Sequence, residues 1–385
     1  MAVQHFLYLQ LAKDKINFQK PSVEYHLLPS QPIFMKILQR IAFFSKHICL
    51  LFLLGSCQQP ATKKEAELHK QSYPTVGAIG RHSAGIENIL PKDAKIEVLA
   101  EGFTWTEGPV WVADGGYLLF TDIPPNRVMR WKEGEGVSLY LTPSGFTGEA
   151  TKSKEPGANG LTLDSAGNLI LCQHGDRRVA RMNAPLSQPK PEFVTLADRW
   201  NGKRLNSPND AVFDSKGNLY FTDPPYGLEK QADDPAKEIP FQGVYRRRPD
   251  GTLDLLLDSL SRPNGIALSP DEKTLYIANS DPAKAIWMAY DVQPDGSLKN
   301  GRLFYDATSK VGDAFPGLPD GLKVNPQGVL FATGPGGVWI FNPDGMLLGE
   351  IFTEQATSNC AFGNDGKALY ITADNYLMRV WLTEK

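Results

Sequence analysis

Six segments of the chain share one pattern: a polar leader, an alternating apolar run, a turn of Gly, Asp or Asn, and a second apolar run. They begin at Glu107 (EGPVWVADGGYLLFTD), Asn159 (NGLTLDSAGNLILCQH), Asn209 (NDAVFDSKGNLYFTD), Asn264 (NGIALSPDEKTLYIAN), Asp320 (DGLKVNPQGVLFATG) and Asn359 (NCAFGNDGKALYITA). Alternation with turn chemistry between the runs reads as a β-hairpin in every case. The hairpins recur about every 50 residues, which leaves room for two more strands per unit. Those strands are present where they are needed: RVMRW with VSLYLT, RVARM with EFVTLA, GVYRR with LDLLLD, IWMAYDV with GRLFYD, and GVWIF with LLGEIF.

Four antiparallel strands repeated six times predict an all-β fold, a six-bladed β-propeller. After the sixth hairpin only LMRVWL remains, so that blade lacks its fourth strand. The stretch KIEVLAEG, Lys95 to Gly102, precedes the first hairpin and is expected to supply it, closing the ring with both ends of the chain. A solenoid or sandwich does not account for that complementarity, and no helical period supports helical repeats. The 35 Gly and 29 Pro fit a fold with many turns between short strands.

The N-terminus has another character. From Met35 the chain reads MKILQRIAFFSKHICLLFLLGSC, with basic residues, an apolar run and small residues before Cys57. This is the layout of a secretory signal. Its Leu54-Gly55-Ser56-Cys57 ending resembles a bacterial lipobox, in which Cys57 carries the lipid. The apolar run is far short of the ~20 residues needed to span a bilayer. The expected organisation is a misassigned upstream start at 1–34, a lipoprotein-type signal at 35–57, a polar linker at 58–90 and the propeller at 91–385. The protein is then exported, periplasmic or tethered to the cell envelope, and meets a membrane only through its lipid anchor. Forty basic residues against 43 acidic give a net charge of −3, which excludes a phosphate-neutralising nucleic-acid surface. Cys172 and Cys360 fall in different repeats, so no disulfide is implied.

Propeller geometry turns the leaders into a site. The innermost strand of each blade lines the central channel, so Glu107, Asn159, Asn209, Asn264, Asp320 and Asn359 are expected to ring one mouth. The second strand returns to the same mouth, bringing Asp122, His174, Asp223 and Asn279 to a polar crown. Carboxylates and amides without thiolates suit one hard divalent cation, Ca²⁺ first, with Mg²⁺, Mn²⁺ or Zn²⁺ as alternatives. The propeller has one histidine, His174, and no G-x-S-x-G elbow, which disfavours serine hydrolysis. No G-x-x-x-x-G-K or G-x-G-x-x-G is present, so nucleotide binding has no support. The bland alternative for each leader is turn chemistry, since Asn-Gly and Asp-Gly pairs hold turns. Glu107 is a poor turn former in the same register, which favours a ligand site. Residues 228–242 either cap a substrate or form a solvated insertion, and Arg246 to Arg248 read as a solvent-facing charge run.

TEGPVW at Thr106 to Trp111, SPNDAVFDSKGNLYFTDPPYG at Ser207 to Gly227, RPNGIALS at Arg262 to Ser269 and PDGLKV at Pro319 to Val324 resemble the senescence-marker-protein, gluconolactonase and luciferin-regenerating-enzyme-like family. The NSPND form, with Ser207 two positions before Asn209, is similar to the bacterial gluconolactonase branch. The resemblance implies a six-bladed propeller with a divalent cation in its channel. Carried over by motif, it implies Glu107, Asn264 and Asp320 as metal ligands and Asn209 as a ligand or substrate contact. The implied reaction is hydrolysis of a sugar lactone, with Asp320 as general base. Asn159, His174, Asn209 and Tyr226 are the expected substrate contacts. The alternatives are an esterase or organophosphate hydrolase on the same site, and an envelope-tethered propeller that binds a glycan or protein without catalysis.

Overall fold

The computed structural model describes residues 72–383. The proposed start, the signal segment, Cys57 and the first part of the linker lie outside the described residues. From Thr106 onward, six antiparallel sheets follow one another along the chain. In each of the first five blades the strands run in sequence order, as in Thr106–Val112, Tyr117–Asp122, Arg127–Lys132 and Gly136–Leu141 of blade 1. The inner strands of blades 2 to 6 are Ala158–Leu163, Ala211–Phe213, Pro263–Leu268, Leu322–Val324 and Thr357–Gly363. Among the described residues the only helices are four short 3₁₀ turns. The sixth sheet takes Ile96–Glu101 against Tyr376–Trp381, antiparallel, so the outer strand of the last blade comes from ahead of the first.

Burial follows the strand period, which places one core between each pair of neighbouring blades. Leu119, Leu161 and Leu171 pack between blades 1 and 2, and Phe221, Tyr245 and Ile170 between blades 2 and 3. Ile266, Ile277 and Tyr220 join blades 3 and 4, while Trp287, Trp339 and Phe341 join blades 4 and 5. Trp131, Phe120 and Tyr370 close blade 6 against blade 1. Each such interface hides large apolar side chains, and these burials drive assembly of the ring.

The linker expectation is corrected for residues 72–90. Thr75–Val76 pairs with Ile96–Glu101, and Ala78–Arg81 pairs with Leu347–Phe352, so these residues add fifth strands to blades 6 and 5. Ile86, Ile89 and Leu90 are buried in the core shared by those two blades. Arg379 lies over the Tyr73 ring at 5.3 Å, and the Tyr73 hydroxyl donates to Glu133 at 2.8 Å. A strap across two outer edges covers hydrogen-bonding groups that would otherwise be open to other chains. The charge run at Arg246 is also corrected, because Arg246 is buried and donates to Asp254 and to the Asp295 carbonyl. In residues 228–242, Leu228 and Ile239 are buried.

Candidate functional site

Each leader sits where its inner strand loses regular pairing. The register with the second strand breaks between Glu107 and Val110, between Ala158 and Leu161, between Pro263 and Ile266, and between Thr357 and Asn359. Asn209 and Asp320 precede the regular inner strands of blades 3 and 5. A bulge re-aims one side chain out of the alternating pleat, and here it accompanies the polar leaders. The Gly after a leader is there for close approach, not for a hairpin turn. A Cβ on Gly160 would lie 2.6 Å from the Asn209 carbonyl oxygen, and one on Gly265 would overlap the Asp320 carbonyl. Gly160 also donates to the Asn209 carbonyl at 2.7 Å, so successive leaders are tied blade to blade.

The second strands brace this ring through residues that the sequence reading passed over. Thr121 donates to the Asn159 carbonyl at 3.0 Å, Thr222 to the Asn264 carbonyl at 2.6 Å, and Thr333 to the Ser358 carbonyl at 2.9 Å. The recurring F-T-D at Phe120 to Asp122 and Phe221 to Asp223 was the available signal. The acids that follow Thr121 and Thr222, and Asn279 at the matching end of the second strand of blade 4, are not a crown. Asp122 accepts from the Thr104 and Trp105 backbone, both at 3.0 Å, and pairs with Arg127 at 2.7 Å. Asp223 accepts from the Asn206 N–H at 2.7 Å, and Asn279 from the Arg262 N–H at 2.8 Å. All three are buried, and they hold the segments that lead into the inner strand of their own blade.

The leaders open onto a cavity of about 600 Å³. Its floor includes Glu107, Asn159, Asn209, Asn264 and Asp320. Its walls include Trp105, Glu155, Tyr226, Arg262, Ser280 and Pro282, with Val311 to Asp313 and Pro316 to Leu318 from the segment between blades 4 and 5. Ser207 places Tyr226 by donating to the Pro224 carbonyl at 2.6 Å and accepting from the Gly227 N–H at 2.9 Å.

Four side-chain oxygens of the floor, Oδ1 of Asn159, Asn209, Asn264 and Asp320, are shielded from solvent yet have no hydrogen-bond partner in the protein. Buried acceptors are ordinarily satisfied, so four together mark a place prepared for a guest that attracts oxygen. Glu107 completes the set, with one carboxylate oxygen accepting from its neighbour Gly108 at 2.6 Å and from Asn359 at 3.1 Å. Burial raises the carboxyls of both Glu107 and Asp320, and each feels other acids: Asp210 acts on both, and Glu107 acts on Asp320. Two carboxyls disfavoured as anions, among neutral amide oxygens, are of the chemistry that could hold a hard cation.

Asn359, the sixth leader, does not line the cavity. It accepts from Lys323 Nζ at 3.1 Å, and the same ammonium lies 3.7 Å from Asp210 Oδ2. The chain Glu107–Asn359–Lys323–Asp210 therefore forms a supporting layer, and neither Asp210 nor Lys323 was singled out from the sequence.

His174, expected at the channel mouth, stands one layer behind it. It lies outside the cavity lining, fully buried, with Nδ1 3.7 Å from Glu155 Oε2 and with no hydrogen bond at either ring nitrogen. Burial pushes its pKa down to about 3, so the ring is neutral. Glu155, which does face the cavity, is pushed up to about 7 by burial.

Residues 105–375 match the family described as the SMP-30/Gluconolactonase/LRE-like region. A gluconolactonase of Zymomonas mobilis is 40% identical over 321 residues, which are 82% of this chain and 89% of that relative. Regucalcin of Xenopus laevis is 27% identical over 286 residues, 72% of this chain and 86% of the relative. Among solved structures, a gluconolactonase from Xanthomonas campestris superposes with a TM-score of 0.68 at 32% identity, covering 82% of this chain and 99% of that one. A luciferin-regenerating enzyme shares the fold, with a TM-score of 0.60 at 18% identity over 75% of this chain and 95% of its own.

Proposed function

This chain belongs to the SMP-30/gluconolactonase/LRE-like family, and we propose that it opens a sugar lactone by a hydrolysis that depends on one divalent cation. The supporting observation is the ring of unpartnered oxygens on Asn159, Asn209, Asn264 and Asp320 beside the Glu107 carboxylate. Glu107, Asn209, Asn264 and Asp320 would hold the cation, with Ca²⁺ the best match to neutral amides plus carboxylates. When bound, it would supply polarisation of the ester carbonyl and a more acidic water.

The rest of the chemistry falls to the chain's own groups. Asp320 is the base that takes the proton of the attacking water. Asn209 and Asn159 present amides to the carbonyl and to the sugar hydroxyls, so the lactone enters in one orientation. Tyr226 and Trp105 wall the cavity and exclude bulk water from the ring. Glu155 retains its proton to about pH 7 and shares the cavity, so it is placed to return a proton to the ring oxygen released on opening. His174 acts behind Glu155 instead of touching substrate.

The test is proton release from δ-gluconolactone by chelator-treated protein, before and after adding Ca²⁺, Mg²⁺, Mn²⁺ or Zn²⁺, with Asp320→Ala as the control. Restoration by cation and loss in the variant are expected. Cation binding without hydrolysis would instead favour another ester or an organophosphate, and absence of both would favour a non-catalytic binding propeller. Export through 35–57 with a lipid on Cys57 belongs to the same proposal; membrane fractionation of wild type and Cys57→Ser tests it.

A further inference from the structure

Among the described residues Arg262 is the only cationic side chain lining the cavity. Its backbone is fixed on both sides: the N–H donates to Asn279 Oδ1 at 2.8 Å and the carbonyl accepts from the Ser280 N–H at 2.8 Å. Among the described residues its guanidinium makes no hydrogen bond and has no carboxylate within 4.0 Å. Arg262 is half-buried, and the buried arginines of this protein all have hydrogen-bond partners, although Arg177 keeps its Nη2 unpartnered. Arg177 donates to three backbone carbonyls, Arg246 to Asp254 and the Asp295 carbonyl, and Arg379 to Glu97 and Glu133. The acid nearest in sequence, Asp281, feels the Arg262 charge at a distance but makes its contacts with the Ser261 hydroxyl at 2.6 Å and the Ala283 N–H at 2.9 Å, and Asp313 of the same cavity makes no ion pair with Arg262 within 4.0 Å.

A guanidinium keeps its charge at any physiological pH, and its planar fork matches a carboxylate in two parallel hydrogen bonds. Sugar hydroxyls would leave that charge unpaired in a partly desolvated wall, whereas an anionic substituent would pair it. We propose that Arg262 is the specificity-determining cation of this cavity, selecting lactones that carry a carboxylate away from the ester, as lactones of sugar diacids do. The proposal rests on the lactone-hydrolase reading and narrows its substrate class. Ser280 and Tyr226 stand in the same wall and offer hydroxyls to the rest of the sugar.

The experiment has a binding arm and a turnover arm, both on cation-loaded full-length protein. Calorimetric titration with D-glucarate and D-gluconate should show roughly tenfold or greater preference for glucarate, the size expected of one charge-assisted pair. Arg262→Gln should bring that ratio to within about twofold, and Arg262→Lys should retain part of it as a point charge without the fork. The ratio of kcat/KM for D-glucaro-1,4-lactone over D-glucono-1,4-lactone should fall in parallel, with the change carried by KM. Equal binding of the two acids by wild type, or a ratio untouched in Arg262→Gln, overturns the proposal. If neither lactone is hydrolysed while the Arg262-dependent preference for glucarate remains, the lactone-hydrolase reading fails and the anion site stands.

Discussion

Asn359 donates from Nδ2 to Glu107 Oε2 at 3.1 Å, joining residues 252 positions apart, the leaders of the last blade and the first. Closure of the ring thereby sets the orientation of a carboxylate in the candidate site. The Asn359 oxygen in turn accepts from Lys323, which stands beside buried Asp210. Second-layer hydrogen bonds of this kind fix a ligand's rotamer, and with it the position of its oxygens.

Asn359→Leu removes both contacts while preserving approximate volume. Calcium affinity, read by calorimetric titration, is expected to fall roughly 10- to 100-fold. An unchanged affinity would show that Glu107 is held by its Gly108 contact alone.

Gly265→Ala places a methyl group against the Asp320 carbonyl, where blade 4 meets blade 5. The backbone must separate there, and the expected loss is about 1–3 kcal/mol in urea unfolding, the usual cost of overpacking. Cation affinity should fall as well, because the displaced residue carries a carboxylate proposed to hold the cation. The same substitution at Gly102, which has open space around its Cβ position but a φ of +93°, tests backbone strain without a clash.

Leu90→Ala probes whether the strap ahead of the first blade belongs to the folded body. Leu90 is wholly buried in the core between blades 5 and 6, so truncation is expected to cost about 2–5 kcal/mol. A change below about 0.5 kcal/mol, typical of exposed positions, would return residues 72–90 to the status of a tether.

His174→Gln should alter the acid side of the stability profile. The folded-state pKa of His174 is about 3 against 6.5 for the free group, so between those values the unfolded chain binds a proton that the folded chain refuses. Stability at this site therefore rises with pH across that window and is lost as pH falls below 6.5. Glu155 has the opposite sign, since its folded-state pKa of about 7 against 4.5 makes stability fall as pH rises between them. Melting temperatures from pH 4 to pH 7 should show a shallower acid-side loss in the variant than in wild type. Identical slopes would mean that His174 takes up its proton in the native state.

Much of the fold was legible because strand alternation, turn chemistry and the recurrence of whole units are local properties of a chain. The six leaders were likewise visible as six equivalent positions, and five of them line one cavity. Asn359 could not be distinguished from Asn159 by pattern, since its turn toward Glu107 depends on the packing of neighbouring blades. The strap at 72–90 escaped detection because its strands are two and four residues long, too short to display a period.

What the sequence determined by itself was the number of blades and the equivalent position of one polar leader in each, because strand alternation and the recurrence of whole units are local properties of the chain. What only the tertiary structure decided was the partner of each polar group. Asp122 and Asn279 are consumed by backbone N–H groups of adjoining loops, Asp223 spends one oxygen in the same way while keeping the other unpartnered outside the cavity, and His174 lies behind Glu155. Asn159, Asn209, Asn264 and Asp320 keep oxygens that nothing in the protein satisfies. Whether a buried oxygen is spent or spare depends on groups brought within about 3 Å by folding, often from distant parts of the chain. That distance has no counterpart in sequence spacing, so composition and motif reveal the candidates while the closed ring separates scaffold from site.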